Sequence, residues 1–361
     1  GCGAVYVFTG SGNTWSLQQK LAASDPNMAD YFGYSVALDG DTILIGAYLD
    51  DDACNGTGVN CGAAYVFTRT VNVWSQQQKL STGDPDTADY FGYSVALAGD
   101  TALIGAYLDD GACNGTNVNC GAAYVFTRAG STWSQQQKLS SGDPDTADYF
   151  GNSVALTTDT ALIGAYLDDG ACNGTDVDCG AAYVFTRTGS VWSQQQKLSS
   201  GDPDTADRFG YSVALNADTA LIGAYLDDGA CNGTEFNCGA AYVFTRADSA
   251  WFQQQKLSSG DPDTADYFGS SVALKADTAL IGAYLDDGAC NGTGFNCGAA
   301  YVFTRIGSVW SQQQKLFSDD PNTADYFGYA VALNADTALV GAYLDDGACS
   351  GTDLDCGASS M

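Results

Sequence analysis

Apolar and polar positions follow each other along this chain in short runs that never settle into a helical period. One stretch shows the pattern: Phe91-Gly-Tyr-Ser-Val-Ala-Leu97, then Thr101-Ala-Leu-Ile-Gly-Ala-Tyr107, then Ala122-Ala-Tyr-Val-Phe-Thr127, then Trp133-Ser-Gln-Gln-Gln-Lys-Leu139. Each run is rich in β-branched and aromatic residues and is bounded by Gly, Asp, Asn or Pro, which predicts four short strands. Ala98-Gly-Asp100 joins the first to the second, and Arg128-Ala-Gly-Ser131 the third to the fourth, both as hairpin turns.

The pattern repeats. Phe-Gly recurs at Phe32, Phe91, Phe150, Phe209, Phe268 and Phe327, a step of 59 residues, and Trp15, Trp74, Trp133, Trp192, Trp251 and Trp310 keep the same step. Self-similarity at this period points to a solenoid, a propeller or an array, and four strands per repeat suit a propeller blade. The expected fold is all-β: a six-bladed β-propeller of four-stranded antiparallel blades, one domain over residues 1–361. Five blades lie at 32–80, 91–139, 150–198, 209–257 and 268–316. The sixth is split between 327–348 and 3–21, because the N-terminus supplies only third and fourth strands (Ala4–Thr9, Trp15–Leu21). The C-terminus supplies only first and second strands (Phe327–Leu333, Thr337–Tyr343). Completion of the last blade by the N-terminal strands hides both sheet edges; a strand-swapped chain of subunits and a longer parent protein are the alternatives.

The residues FGYSVAL, DTALIGAYLDD and GAAYVF, six times in register over essentially the whole chain, resemble the FG-GAP repeat, the unit of the integrin α-subunit propeller and of many microbial surface proteins. The resemblance implies a β-propeller, an extracellular setting, adhesion or scaffolding, and often calcium. The chain departs from the integrin pattern in three ways. It supplies six blades rather than seven. It cuts the integrin calcium loop to turns such as Asp39-Gly-Asp41. It reads Gly105-Ala-Tyr107 where the family has Gly-Ala-Pro.

The net charge is −30, with Glu235 as the sole glutamate, and the 13 Lys and Arg are scattered. Phosphate binding needs a basic face, so nucleic acid and anionic membrane surfaces are not expected partners. No apolar run approaches a membrane-spanning length, so no membrane insertion is expected. The absence of histidine removes Ser-His-Asp and Cys-His chemistry. The chain opens at Gly1 without a leader pattern, so either a signal peptide has been removed or the chain is a segment of something longer.

Cysteines pair at a fixed spacing: Cys54 with Cys61, Cys113 with Cys120, Cys172 with Cys179, Cys231 with Cys238, and Cys290 with Cys297. This reads as a disulfide framework of an extracellular or cell-surface protein. Cys2 lies six periods before Cys356, so Cys349 has two candidate partners, Cys2 and Cys356. Between the paired cysteines stands Asn-Gly-Thr, with Asn55, Asn114, Asn173, Asn232 and Asn291 as acceptors for N-linked glycans, or as plain turns.

Asp-Pro-Asp-Thr-Ala-Asp recurs in the linkers, giving the trios Asp84, Asp86, Asp89; Asp143, Asp145, Asp148; Asp202, Asp204, Asp207; and Asp261, Asp263, Asp266. Alternating carboxylates suit calcium; the competing reading is a turn capped by its last Asp. Blade topology puts these linkers and the second-to-third loops on one face. The tryptophans are expected to pack between blades, and Arg128 and its equivalents to be solvated hairpin charges. Repetition without a unique constellation predicts no enzyme. The expected function is a non-catalytic extracellular glycoprotein module with a structural or adhesive role, self-assembling into a surface layer or fibre. The alternative is a calcium-dependent propeller that binds carbohydrate or protein.

Overall fold

The computed structural model describes residues 2–11, 14–52, 54, 58–84, 86–113, 116–170, 172, 177–229, 231, 235–288, 290, 294–319, 321–335, 337–345 and 358–360. Among them there is no helix, hence none long and apolar enough to cross a membrane.

The strands follow the repeat. They are β1 (Val5–Ser11), β2 (Thr14–Leu21); β3 (Ser35–Asp39), β4 (Thr42–Ala47), β5 (Ala63–Thr70), β6 (Val73–Leu80); β7 (Ser94–Ala98), β8 (Thr101–Ala106), β9 (Ala122–Ala129), β10 (Thr132–Leu139); β11 (Ser153–Leu156), β12 (Thr160–Ala165), β13 (Ala181–Thr188), β14 (Val191–Leu198). They continue as β15 (Ser212–Asn216), β16 (Thr219–Ala224), β17 (Ala240–Ala247), β18 (Ala250–Leu257); β19 (Ser271–Lys275), β20 (Thr278–Ala283), β21 (Ala299–Ile306), β22 (Val309–Leu316); β23 (Phe327–Asn334), β24 (Thr337–Ala342), β25 (Ala358–Ser360).

Contacts divide the chain into two compact units, Gly1–Ile163 with Phe185–Gln194, and Gly164–Val184 with Gln195–Met361. The first unit holds the sheets β3-β4-β5-β6 and β7-β8-β9-β10, and the second holds β15-β16-β17-β18 and β19-β20-β21-β22. The boundary passes through the sheet β11-β12-β13-β14, which has the same strand order. Ladders such as Ile104↔Tyr124 are antiparallel, and the pairings β1–β2, β5–β6, β9–β10, β17–β18 and β21–β22 each carry a β-bulge, as between Val66 and Phe67.

In the four-stranded sheets the second strand and most of the third are buried on both faces, β8 along its whole length, so they read as continuous apolar runs rather than alternating ones. In the first unit Ile104, Tyr124, Phe126 and Trp133 pack against Val66 and Leu80 of the preceding blade. In the second, Ile281, Tyr301, Phe303 and Trp310 pack likewise on Val243 and Leu257.

Two expectations need correction. In the first five repeats the Phe-Gly pair does not begin the first strand, since Gly92 has φ +90° and β7 starts only at Ser94; in the sixth, β23 does begin at Phe327 as expected. Phe91 instead donates its amide to the Cys61 carbonyl and bridges Gly62, tying each linker to the blade before it. The last blade is also not completed by the N-terminal strands. β1 pairs with β2 alone, and β24 takes β25 as its neighbour, with Ala342 opposite Ala358 as Ala106 is opposite Ala122. The cause is in the sequence, because Cys356-Gly-Ala358 repeats the start of a third strand.

Close approach explains the two glycines of the motif. A Cβ on Gly105 would lie 2.0 Å from the carbonyl oxygen of Gly151, which also accepts a 2.8 Å bond from the Ser94 hydroxyl.

Five disulfides join the expected pairs Cys54–Cys61, Cys113–Cys120, Cys172–Cys179, Cys231–Cys238 and Cys290–Cys297. Cys2 is free and exposed; Cys349, Cys356 and the acceptors Asn55, Asn114, Asn173, Asn232 and Asn291 lie outside the described residues. Cross-links that close such short loops remove about 2–3 kcal/mol each of unfolded-chain entropy. Reduction should therefore lower the denaturant midpoint, and an unchanged midpoint would refute this stapling role.

Candidate functional site

Each linker meets the second-to-third loop at one end of a sheet, and there the acids converge on a lysine. Lys138, from β10, binds the linker residue Asp84 at 3.1 Å and the loop residue Asp109 at 2.9 Å. The Tyr124 hydroxyl donates to the same two carboxylates, and the ammonium lies 5.3 Å from the centre of the Tyr124 ring. The cluster recurs with Lys79 on Asp25 and Asp50, Lys256 on Asp202 and Asp227, and Lys315 on Asp261 and Asp286. Lys197 binds Asp168 at 2.8 Å.

In three of the aspartate trios, then, the first member (Asp84, Asp202 or Asp261) belongs to this cluster. The third member of every trio is buried: the Asp89 carboxylate accepts from the Asp86 amide, as Asp148 does from Asp145, Asp207 from Asp204 and Asp266 from Asp263. The middle residues Asp86, Asp145, Asp204 and Asp263 are exposed. The trios therefore do not come together as ligands. Among the described residues no group of three or more potential metal ligands converges, and the donor set already contains an ammonium. These acids do not fit calcium; they cap a turn and hold a lysine.

Electrostatics follow from burial. Burial works against the Lys138 ammonium, yet Asp109 and Asp84 outweigh it and hold its pKa above the usual lysine value. Burial lifts Asp89 to about 7 and Asp207 and Asp266 to about 8; the capped amide opposes this, and Asp109, Asp227 or Asp286 nearby adds to it. A carboxyl raised in the folded state stabilises fully below its unfolded value near 4, and loses that contribution as pH climbs through 7–8. The lysines titrate above this window, and the net charge of −30 acts in the same direction. Tm should fall by roughly 5 °C or more between pH 5.5 and pH 8.5. Asp207→Asn and Asp266→Asn together should flatten that slope in calorimetric scans, and an unaltered slope would refute the assignment.

Sequence reasoning missed the role of the glutamines. In the first unit the Gln78 carboxamide accepts from the Trp133 amide and donates to its carbonyl, both at 2.8 Å, while Gln77 accepts from the indole Nε1 at 3.1 Å. Gln135 reaches back to accept from the Gly83 amide. The same clasp joins Gln18 and Gln19 to Trp74 and, in the second unit, Gln254 and Gln255 to Trp310. The detectable signal was the constant spacing of Gln and Trp. Arg128 is not a solvated charge: it pairs with Asp100 at 2.6 Å, donates to Thr42 of the preceding blade and lies over the Trp133 ring.

A second missed feature is aromatic. In the first unit Tyr31, Tyr48, Tyr90, Tyr93, Tyr107 and Tyr149 form an unbroken arc with centroids 4.4–5.7 Å apart. The second unit has its own arc through Tyr211, Tyr225, Tyr267 and Tyr284, where Arg208 lies over Tyr166 and pairs with Asp178. Two or three tyrosines per repeat, around Phe-Gly and after Gly-Ala, were its sequence trace.

A family model described as an FG-GAP repeat matches residues 15–67, 74–126, 133–185, 192–244, 251–303 and 310–358. Each match begins at the tryptophan of one sheet and ends in the third strand of the next, so a clasp such as Gln78 on Trp133 and a cluster such as Lys138 on Asp84 and Asp109 each join two consecutive matches. No curated protein matches the chain.

Proposed function

From a chain that belongs to the FG-GAP repeat family, we propose a non-catalytic, β-propeller-like extracellular module with a structural or adhesive role. It self-assembles into a surface layer or fibre. The observation that carries this reading is that the recurrent polar groups are spent internally: lysine on aspartate, glutamine on tryptophan, arginine on aspartate. An active site needs a group set apart from its copies, whereas identical copies suit assembly. Five disulfides favour an oxidising compartment. The Asn-Gly-Thr loops carry N-linked glycans in this reading.

Electron microscopy of secreted protein, with intact mass before and after enzymatic deglycosylation, tests it. Ordered assemblies and a mass loss are expected; single particles at every concentration overturn the assembly role. A second reading, a module that binds carbohydrate or an extracellular protein, is favoured by the tyrosine arc of the first unit. A glycan array separates the two.

A further inference from the structure

The N-terminal sheet carries the same side chains as the others but leaves them bare. Tyr6, Phe8 and Trp15 are 51%, 52% and 52% exposed, while their equivalents one repeat on, Tyr65, Phe67 and Trp74, are at 0%, 4% and 3%. Those three are covered by Val5, Val7 and Leu21 of the sheet before them, and Trp74 is held by Gln18 and Gln19. Trp15 has no such clasp among the described residues.

β22 shows the converse. Gln313 and Gln314 stand where Gln18 and Gln19 stand in their repeat, yet both are exposed, and Gln313 donates to Ser311 of its own strand instead of clasping an indole. Val302 and Leu316 are half-buried, although their equivalents Val243 and Leu257 are buried. The molecule thus exposes an indole without its glutamines and glutamines without their indole.

We propose that a second copy of this chain supplies the missing half: Trp15 of one molecule seats under Gln313 and Gln314 of the next, with Tyr6 and Phe8 on Val302 and Leu316. The chemistry is the clasp that recurs between sheets inside each unit, and a buried tryptophan at its centre is the kind of residue that dominates an interface. The contact is heterologous, head to tail, so it propagates into a chain of molecules. In the incoming molecule β1 has a free edge, and the edge of β24 that it matches is held by β25 through three residue pairs. β25 gives way on assembly. The inference rests on the self-assembly reading and names its surface.

The test is complementation, read by sedimentation velocity over a concentration series. Wild type should form concentration-dependent chains. Trp15→Ala lacks one half, and Gln313→Ala with Gln314→Ala lacks the other, so each alone should stay monomeric. An equimolar mixture should stop at dimers, because it contains one intact pairing. Deleting residues 358–361 should shift wild-type assembly to lower concentration, about tenfold or more. Trp15 is exposed in the free chain, so both variants should keep the wild-type circular dichroism spectrum. Wild type that stays monomeric while both variants lose Tm means that the chain's own ends meet, and overturns the proposal. Assemblies that persist in both variants also overturn it, but leave self-assembly through another surface standing. Wild type that stays monomeric with variants of unchanged Tm defeats both.

Discussion

Gly105→Ala is expected to cost about 3 kcal/mol or more of stability, the upper end of what overpacking produces. The added Cβ would sit 2.0 Å from the Gly151 carbonyl oxygen and 2.3 Å from the Ser94 hydroxyl. The first obstacle is backbone, so no rotamer change relieves it; the blade that carries Gly151 must move away from β8. That movement also breaks the Ser94 bond to the same carbonyl and loosens Phe150, which is fully buried behind it. A control comes from the same protein. Gly99 lies in a hairpin turn at φ +58°, where a Cβ meets nothing within 4 Å, and the equivalent turns already hold Ala217 and Ala276 at φ +51°. Gly99→Ala should cost about 1 kcal/mol or less. Urea unfolding of the two variants should give well-separated midpoints. Equal midpoints would show that the blades tolerate a wider spacing, and that the recurrent glycine is not there for close approach.

What could be read from the sequence was what lies within one period. Four strands per repeat, their hairpins and the Cys–Cys spacing are local features, and five disulfides stand where the spacing put them. What crosses from one repeat to the next was harder to see. Gln78 and Trp133 lie 55 residues apart, and a run of three glutamines on an edge strand looks like a solvated face until its partner is known. Lys138 and Asp84 are separated by 54 residues, so the aspartates read as a cation site while the cation was already in the chain. Phe91 looked like the start of a strand because it is apolar and follows a turn; the φ of Gly92 sends it instead into the seam between blades. At the C-terminus, Cys356-Gly-Ala358 was legible as a repeat of Cys120-Gly-Ala122, and β25 occupies the place that repetition gives it. In each case the missing information was a partner about one period away, so the constant spacing between polar residues was the signal to follow.

Lys256→Met should destabilise the second unit by about 3–5 kcal/mol at pH 8, the cost of removing one partner from a buried ion pair. The ammonium holds Asp202 at 2.8 Å and Asp227 at 2.9 Å, and the Asp227 side chain is only 1% exposed. Methionine keeps most of the volume and leaves two carboxylates and the Tyr242 hydroxyl facing one another. Burial already raises the pKa of Asp227, and Lys256 is the main influence that opposes the rise. Without it the folded protein binds that proton more tightly, so the variant gains stability relative to wild type as pH falls. The gap between the two should shrink toward pH 5 and widen toward pH 9. Adding Asp202→Asn and Asp227→Asn to Lys256→Met should recover much of the loss at pH 8, because replacing a whole buried charge cluster by neutral groups is far less costly than breaking it. The lysine also lies over the Tyr242 ring, 5.3 Å from its centre, a contact that does not titrate between pH 5 and pH 9. A loss equal at pH 5 and pH 9, and not recovered by the two asparagines, would assign the lysine's contribution to that ring contact rather than to the carboxylates it bridges.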